Sequence, residues 1–145
     1  MKTNKIRAFV FGTVFFLGIT PVHIFAQEKS VASADAEVYI VSPTDGAVVS
    51  SPVKVIFGLS GMGVAPAGSD LPATGHHHLI IDAPLPDVNQ PIPADDHHKH
   101  FGKGQTETVI ELTPGTHTLQ LLLGDWKHVA HDQPVASEQI AITVE

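Results

Sequence analysis

The chain has no cysteine, and this absence rules out several kinds of site. Without thiolates there is no cysteine-held zinc, no iron–sulfur cluster, no covalently attached c-type haem and no His₂Cys copper site. An exported protein could have used disulfides as staples, and this chain does without them. Any metal ion must therefore be held by nitrogen, oxygen or thioether ligands.

Basic residues are also few, at 8 Lys+Arg against 15 Asp+Glu in 145 residues. Three of the eight, Lys2, Lys5 and Arg7, precede an apolar run at residues 8–19. Such a run is typical of a secretory signal peptide and is too short to span a bilayer stably. Cleavage after Ala26 would leave five basic and fifteen acidic residues, a net charge of −10 with neutral histidines. So acidic a domain argues against nucleic acid and anionic membranes as partners.

Recognisable enzyme motifs are missing as well. The sequence has no His-Glu-x-x-His, no Gly-x-Gly-x-x-Gly, no Walker motif and no complete nucleophile elbow. No second segment is long and apolar enough for a transmembrane helix in the mature chain. We therefore favour a non-enzymatic role. We expect the signal peptide to direct the protein to the periplasm, and we regard secretion into the medium as the less favoured location.

The sequence divides into three parts: a signal peptide at 1–26, a flexible lead-in at 27–36 and one domain at 37–145. Short segments of alternating hydrophobicity, separated by Pro, Gly and Asp turns, predict strands in this domain. Together they indicate an all-β fold, an immunoglobulin-like antiparallel β-sandwich of about seven strands with long His-rich loops. The clearest strand predictions are residues 37–41, 53–59, 76–82, 105–112, 117–123 and 135–144.

Histidine is the residue that the chain has in excess. Nine of its ten histidines fall between residues 76 and 131. In a strand at 76–82, His76 and His78 would point to the same face, roughly 6.6 Å apart, close enough for both imidazoles to reach one ion. His77 would share the opposite face with Leu79 and Ile81, which we expect to be in the core.

A second group of histidines ends a long proline-rich connection at residues 83–104. If residues 93–101 form one helical turn, His97 and His100 stack at i, i+3. If the segment is extended, His98 and His100 face the same way. The sequence leaves both alternatives open.

Neutral imidazole is the commonest metal ligand in proteins, and copper, zinc and nickel accept it. We therefore predict a metal site, with copper the first choice and zinc the second. Nearby acids, among them Asp82, Asp95, Asp96, Asp125 and Asp132, could ligate the ion or orient a ring. The predicted ligands are His76, His78, His97, His98, His100, His128 and His131.

Three segments carry a resemblance to a known family. They are Gly-His-His-His-Leu-Ile-Ile-Asp (75–82), Gln-Pro-Ile-Pro-Ala-Asp-Asp-His-His-Lys-His-Phe-Gly (90–102) and Leu-Thr-Pro-Gly-Thr-His-Thr-Leu-Gln-Leu-Leu-Leu-Gly-Asp (112–125). In this order they resemble domain of unknown function 4399, a family of small exported bacterial proteins. The resemblance implies export but no particular function, so the chemistry of the site has to be inferred from its residues. The third segment also resembles the corner of immunoglobulin-like domains, where the His117 ring would bond back to the corner backbone.

Three functions fit these observations. The first is a periplasmic metal-binding protein that buffers copper or zinc or delivers it, with another periplasmic or envelope protein as a potential partner. The second is a non-enzymatic cell-envelope interaction module whose histidines are structural or pH-sensing. The third is a small copper-dependent redox enzyme, which requires a copper ion with an open coordination position.

Overall fold

The computed structural model describes residues 28–145, and the predicted signal peptide at 1–26 lies outside them. The described residues contain nine strands and no helix. Consequently no helix in this part of the chain is long and apolar enough to cross a membrane. The strands are β1 (Glu37–Ser42), β2 (Val48–Val49), β3 (Val53–Ser60), β4 (Gly63–Val64), β5 (Thr74–Ile81), β6 (His98–His100), β7 (Glu107–Ile110), β8 (Gly115–Gly124) and β9 (Ile140–Val144).

The strands form two sheets, which confirms the predicted all-β sandwich. One sheet has the order β1-β3-β7, and the other has the order β2-β9-β8-β5-β4, with β6 also paired to β5. Most pairs are antiparallel as predicted, but β2 pairs with β9 and β4 with β5 in parallel. These two strands and β6 are two or three residues long, too short to show the alternation from which the longer strands were predicted.

The main core lies between the two sheets and follows the predicted alternation. His77 points into this core, as expected from its parity with Leu79 and Ile81, and it is fully buried. Its ring packs on Phe57 at 5.1 Å between centroids, and Nδ1 lies 3.2 Å from the carbonyl oxygen of Gln105. Other members of this core include Val53, Val55, Phe57, Leu79, Ile81, Leu119, Leu121, Leu123 and Ile142.

A second, smaller core covers the outer face of β5, so this strand is buried on both faces. Ile80 and Leu122 contribute from the sheet, while Ile92 and Ala130 come from the loops that cross it. The proline-rich connection therefore covers part of the outer face of β5. Since a strand buried on both faces presents no solvent side, the even-numbered residues of β5 are also shielded from water.

The ring of His117 bonds back to the backbone of the turn that precedes β8, four residues upstream. Its Nε2 donates to the carbonyl oxygen of Thr113 at 2.8 Å, and its Nδ1 lies 2.6 Å from Oδ2 of Asp82. The hydrogen bond to Asp82 and the one to Thr113 raise the pKa of His117. With an acceptor at each ring nitrogen, the imidazole is satisfied best when both nitrogens carry a proton.

Candidate metal centre

Strand β5 supplies two of the histidines at the site, and both lie on its outer face. His76 and His78 are two residues apart, so they project to the same side, and both are fully buried. Opposite His76 in the register stands Gly124 of β8. A Cβ atom added to Gly124 would lie 2.8 Å from Nε2 of His78, so the missing side chain makes room for the rings.

Strand β6 supplies the third histidine. His100 stands opposite His78 in the antiparallel pair, and its ring centroid lies 5.0 Å from those of both His78 and His76. Residues 98–100 are extended, which decides between the two conformations that the sequence left open. The alternative of a helical turn, which would stack His97 on His100, does not form, because residues 98–100 pair with β5.

The fourth histidine, His128, comes from a turn after β8. Its backbone has a φ of 66°, the left-handed region in which few non-glycine residues lie. The ring centroid lies 4.8 Å from that of His100, 5.0 Å from His76 and 6.4 Å from His78. Four imidazoles from three separate segments thus converge on one point at the outer face of the sheet.

The distances suit a single small ion. One ring nitrogen from each of His76, His100 and His128 lies within 4.8 Å of the other two. Nε2 of His78 lies 3.1 Å from Nε2 of His76. Metal–nitrogen bonds of 2.0–2.1 Å in a tetrahedral site place the nitrogens about 3.4 Å apart. Ring movements of roughly 1 Å would therefore bring the three nitrogens around one ion.

Burial keeps these histidines in the form that binds metals. Loss of solvent, followed by repulsion from the neighbouring histidines, lowers the pKa of His76 to about 4 and that of His78 to about 2. Burial and His128 also lower the pKa of His100. Neutral imidazoles offer a lone pair to a cation, and Nδ1 of both His76 and His78 is buried without a hydrogen-bond partner.

The remaining predicted ligands lie outside this group. Nδ1 of His97 lies 2.8 Å from the carbonyl oxygen of Ile81, and Nδ1 of His98 lies 2.9 Å from Oδ1 of Asp95. Nε2 of His131 lies 3.2 Å from the carbonyl oxygen of Thr74. Each of the three rings has an acceptor of its own, so the structure divides the predicted set into four converging histidines and three separate ones.

Two glycines belong to the site and were missed from the sequence. Gly124 faces the His78 ring, and a Cβ atom added to Gly102 would overlap the ring of His100. The sequence did hold one sign of them, because Gly102 follows the histidines at 97–100 and Gly124 follows the apolar run at 117–123. Without the register between strands, however, nothing in the sequence tells which ring each glycine faces.

The family comparison covers the whole site. Residues 55–145 match the family described as Domain of unknown function (DUF4399). The chain belongs to the DUF4399 family. The matched region contains all four converging histidines and both glycines, so the site lies within the family domain. No curated protein and no solved structure matches the chain at a significant level.

Proposed function

We propose that this DUF4399 protein binds a transition-metal ion through His76, His100 and His128, with His78 beside them. Copper is the first choice and zinc the second, and the role is binding, buffering or delivery of the ion in the periplasm. The observation that carries the proposal is the convergence of these imidazoles, with His76 and His78 fully buried at the inner side of the group. The signal peptide expected at residues 1–26 supports the location.

Metal binding would explain why two buried histidine rings lie together with unpaired nitrogens, an arrangement that lowers stability when no ion is bound. A neutral imidazole has one donor and one acceptor nitrogen. The contact between His76 and His78 can pair one donor with one acceptor, but Nδ1 of each ring then has no partner. A buried polar group without a hydrogen bond costs about 1–3 kcal/mol. A cation that accepts lone pairs from several rings offsets part of this cost.

The donor set favours copper over zinc. The converging ligands are all imidazole nitrogens, which suit both ions, and copper(II) binds such sites most tightly among the divalent first-row metals. Zinc accepts the same ligands in a tetrahedral arrangement. The acidic surface of the domain also favours cations near the site, whichever ion is bound.

The shape of the site supports exchange of the ion. His76 and His78 are fully buried, whereas His128 is half-buried and His100 is exposed. An ion held there would keep one side accessible to solvent or to another protein. Accessible ligands on one side are what a buffer or a delivery protein needs, because a competing ligand can approach the bound ion.

Thermal unfolding tests this proposal against the interaction module. A ligand that binds only the folded state stabilises it by about 2.7 kcal/mol at 100 times its Kd. We therefore expect copper(II) or zinc to raise Tm by several degrees at pH 7.5, and a chelator to reverse the increase. The interaction module predicts no response to either addition. A His97→Ala variant is the control, because that ring bonds the carbonyl oxygen of Ile81 and should leave the metal response unchanged.

A further inference from the structure

We infer that Asp125 is a positioning residue of the metal site, and that Ser30 of the N-terminal lead-in holds Asp125 in place. This inference rests on the proposed function. Asp125 does not itself contact the histidine rings through a hydrogen bond. It acts on His128 through the backbone, and on the site as a whole through its charge.

One carboxylate oxygen of Asp125 organises the turn that carries His128. Oδ1 accepts hydrogen bonds from the backbone nitrogens of Lys127 at 2.8 Å and Val129 at 3.1 Å, the two neighbours of His128. The backbone closes the same turn, since the nitrogen of His128 donates to the carbonyl oxygen of Asp125 at 2.9 Å. These bonds hold His128 in its left-handed conformation, so the direction of the ring depends on Asp125.

The other carboxylate oxygen is bound by the lead-in. Oγ of Ser30 donates to Oδ2 of Asp125 at 2.8 Å, across 95 positions of the sequence. The carbonyl oxygen of Ser30 accepts from the backbone nitrogen of Asp132 at 2.9 Å. Nζ of Lys127 also donates to the carbonyl oxygen of Glu28 at 3.5 Å. The described part of the lead-in therefore makes three hydrogen bonds to the loop that contains His128.

The charge of Asp125 also acts on the site. Between residues 28 and 145 it is the one buried carboxylate, at 1% exposure. Hydrogen bonds from Val129, Lys127 and Ser30 converge on its two oxygens, so the carboxylate is held in one place beside the turn that carries His128. A cation bound by the histidines would be attracted to this negative charge, in a region where water screens it weakly.

Two substitutions separate the charge of Asp125 from its position. In Asp125→Asn, the amide oxygen can still accept from both backbone nitrogens, but the charge is lost. In Ser30→Ala, the charge stays and the anchor of the carboxylate is lost. Asp45→Asn is the matched control, because Asp45 also accepts a hydrogen bond from a backbone nitrogen, that of Ala141 in β9, which carries none of the four converging histidines. Ser30→Thr keeps the hydroxyl and should restore the behaviour of the natural protein.

The test is copper(II) affinity together with the electron paramagnetic resonance spectrum of the bound ion. Changes to groups that orient metal ligands typically weaken binding about 10–100-fold. We expect a loss at the lower end of this range for Asp125→Asn and a smaller loss for Ser30→Ala. Copper hyperfine values should shift in both variants and remain unchanged in Asp45→Asn. A role in folding alone would lower Tm without changing this spectrum in the protein that remains folded.

Three results would overturn the inference or its basis. If Asp125→Asn and Ser30→Ala bind copper with natural affinity and an unchanged spectrum, Asp125 does not position the site. If Asp125→Asn fails to fold, Ser30→Ala alone decides, and natural affinity and spectrum in that variant overturn the inference. If the natural protein has no stoichiometric site, the proposed function itself fails, and this outcome is recognised before any variant is measured.

Discussion

Nε2 of His76 lies 3.1 Å from Nε2 of His78, and neither ring is accessible to solvent. The two rings stand side by side because they alternate with His77 along one strand, and His77 turns to the opposite face. A fold that needed only apolar contacts here would place valine or leucine at these positions. Two polar rings at zero exposure instead mark this face of β5 as the centre of the site.

Acid should destabilise the metal-free protein because it protonates the buried histidines on the outer face of β5. The pKa of His76 falls from 6.5 to about 4 on folding, so the unfolded chain binds a proton at a higher pH than the folded one. The free energy of unfolding is therefore expected to decrease as pH falls below 6.5, until about pH 4. His76 alone would contribute on the order of 3 kcal/mol to this decrease. Urea unfolding at several pH values measures it.

A His76→Gln variant isolates this contribution, because glutamine does not titrate. The difference in unfolding free energy between the natural protein and the variant should change steadily between pH 6.5 and 4. Bound metal should shift the decrease to lower pH, since protons and the ion compete for the same nitrogens. A difference that is constant over this range contradicts the buried, neutral state of His76.

Gly102→Ala should weaken metal binding more than it weakens the fold. The added Cβ would overlap the ring of His100, which is exposed and can turn away, so the expected loss of stability is below about 1 kcal/mol. A turned ring no longer faces the other ligands, and affinity should fall about tenfold. Calorimetric titration and thermal unfolding measure the two effects separately.

Gly63→Ala is the matched control for this substitution. It lies in the two-residue strand β4, and the nearest atom to an added Cβ there is 3.4 Å away, an ordinary contact. Metal affinity should be unchanged in the control. Equal affinities for Gly102→Ala and the natural protein would show that His100 does not hold the ion.

The pair of His117 and Asp82 should stabilise the corner most strongly in weakly acidic solution. The hydrogen bond to Asp82 raises the pKa of His117. The contribution of His117 to the free energy of unfolding is therefore complete below about pH 6.5, and it is lost as pH rises through the higher pKa of the folded state. Burial works to raise the pKa of Asp82, but hydrogen bonds from His117 and Thr118 lower it overall. The contribution of Asp82 to the free energy of unfolding is therefore complete above pH 3.8, and it is lost as pH falls through the lower pKa of the folded state.

Asp82→Asn removes the charge from this pair with little other change. Asparagine tolerates the φ of 53° at this position, and its oxygen can still accept from the backbone nitrogen of Thr118. The carboxylate side chain is 36% exposed, so we expect a loss of only about 0.5–1 kcal/mol near pH 5. The loss should shrink at alkaline pH and in high salt. A loss that does not depend on pH would mean that the pair is not ionic.

The sequence predicted local features of the site and missed the long-range ones. Period-two alternation was enough to place His76 and His78 together and to turn His77 into the core. The positions of His100 and His128 depend on the pairing of β6 with β5 and on a turn closed by Asp125. No local pattern contains the contact of His100 with His78 or that of His128 with His76, because these pairs of residues lie 22 and 52 positions apart.

The same limit explains the predicted ligands that lie elsewhere. His98 is next but one to His100 and has the same parity, but it stands opposite Ile80 rather than a histidine. His131 follows His128 by three residues and bonds the backbone of Thr74 instead. Sequence spacing identified a region rich in ligands, and only the register between strands selects the rings that meet. The immunoglobulin-like topology remains a prediction, beyond the two-sheet sandwich.

Calorimetric titration of an untagged protein that begins at Gln27 with copper(II) and with zinc tests the central claim most directly. The comparison uses the natural protein, a variant that combines His76→Ala with His78→Ala, and His97→Ala as the control. We predict tight binding of one ion by the natural protein and the control, and loss of this binding in the double variant. Weak binding to several sites, equal in all three proteins, would contradict the claim and show that the histidines bind metals only non-specifically.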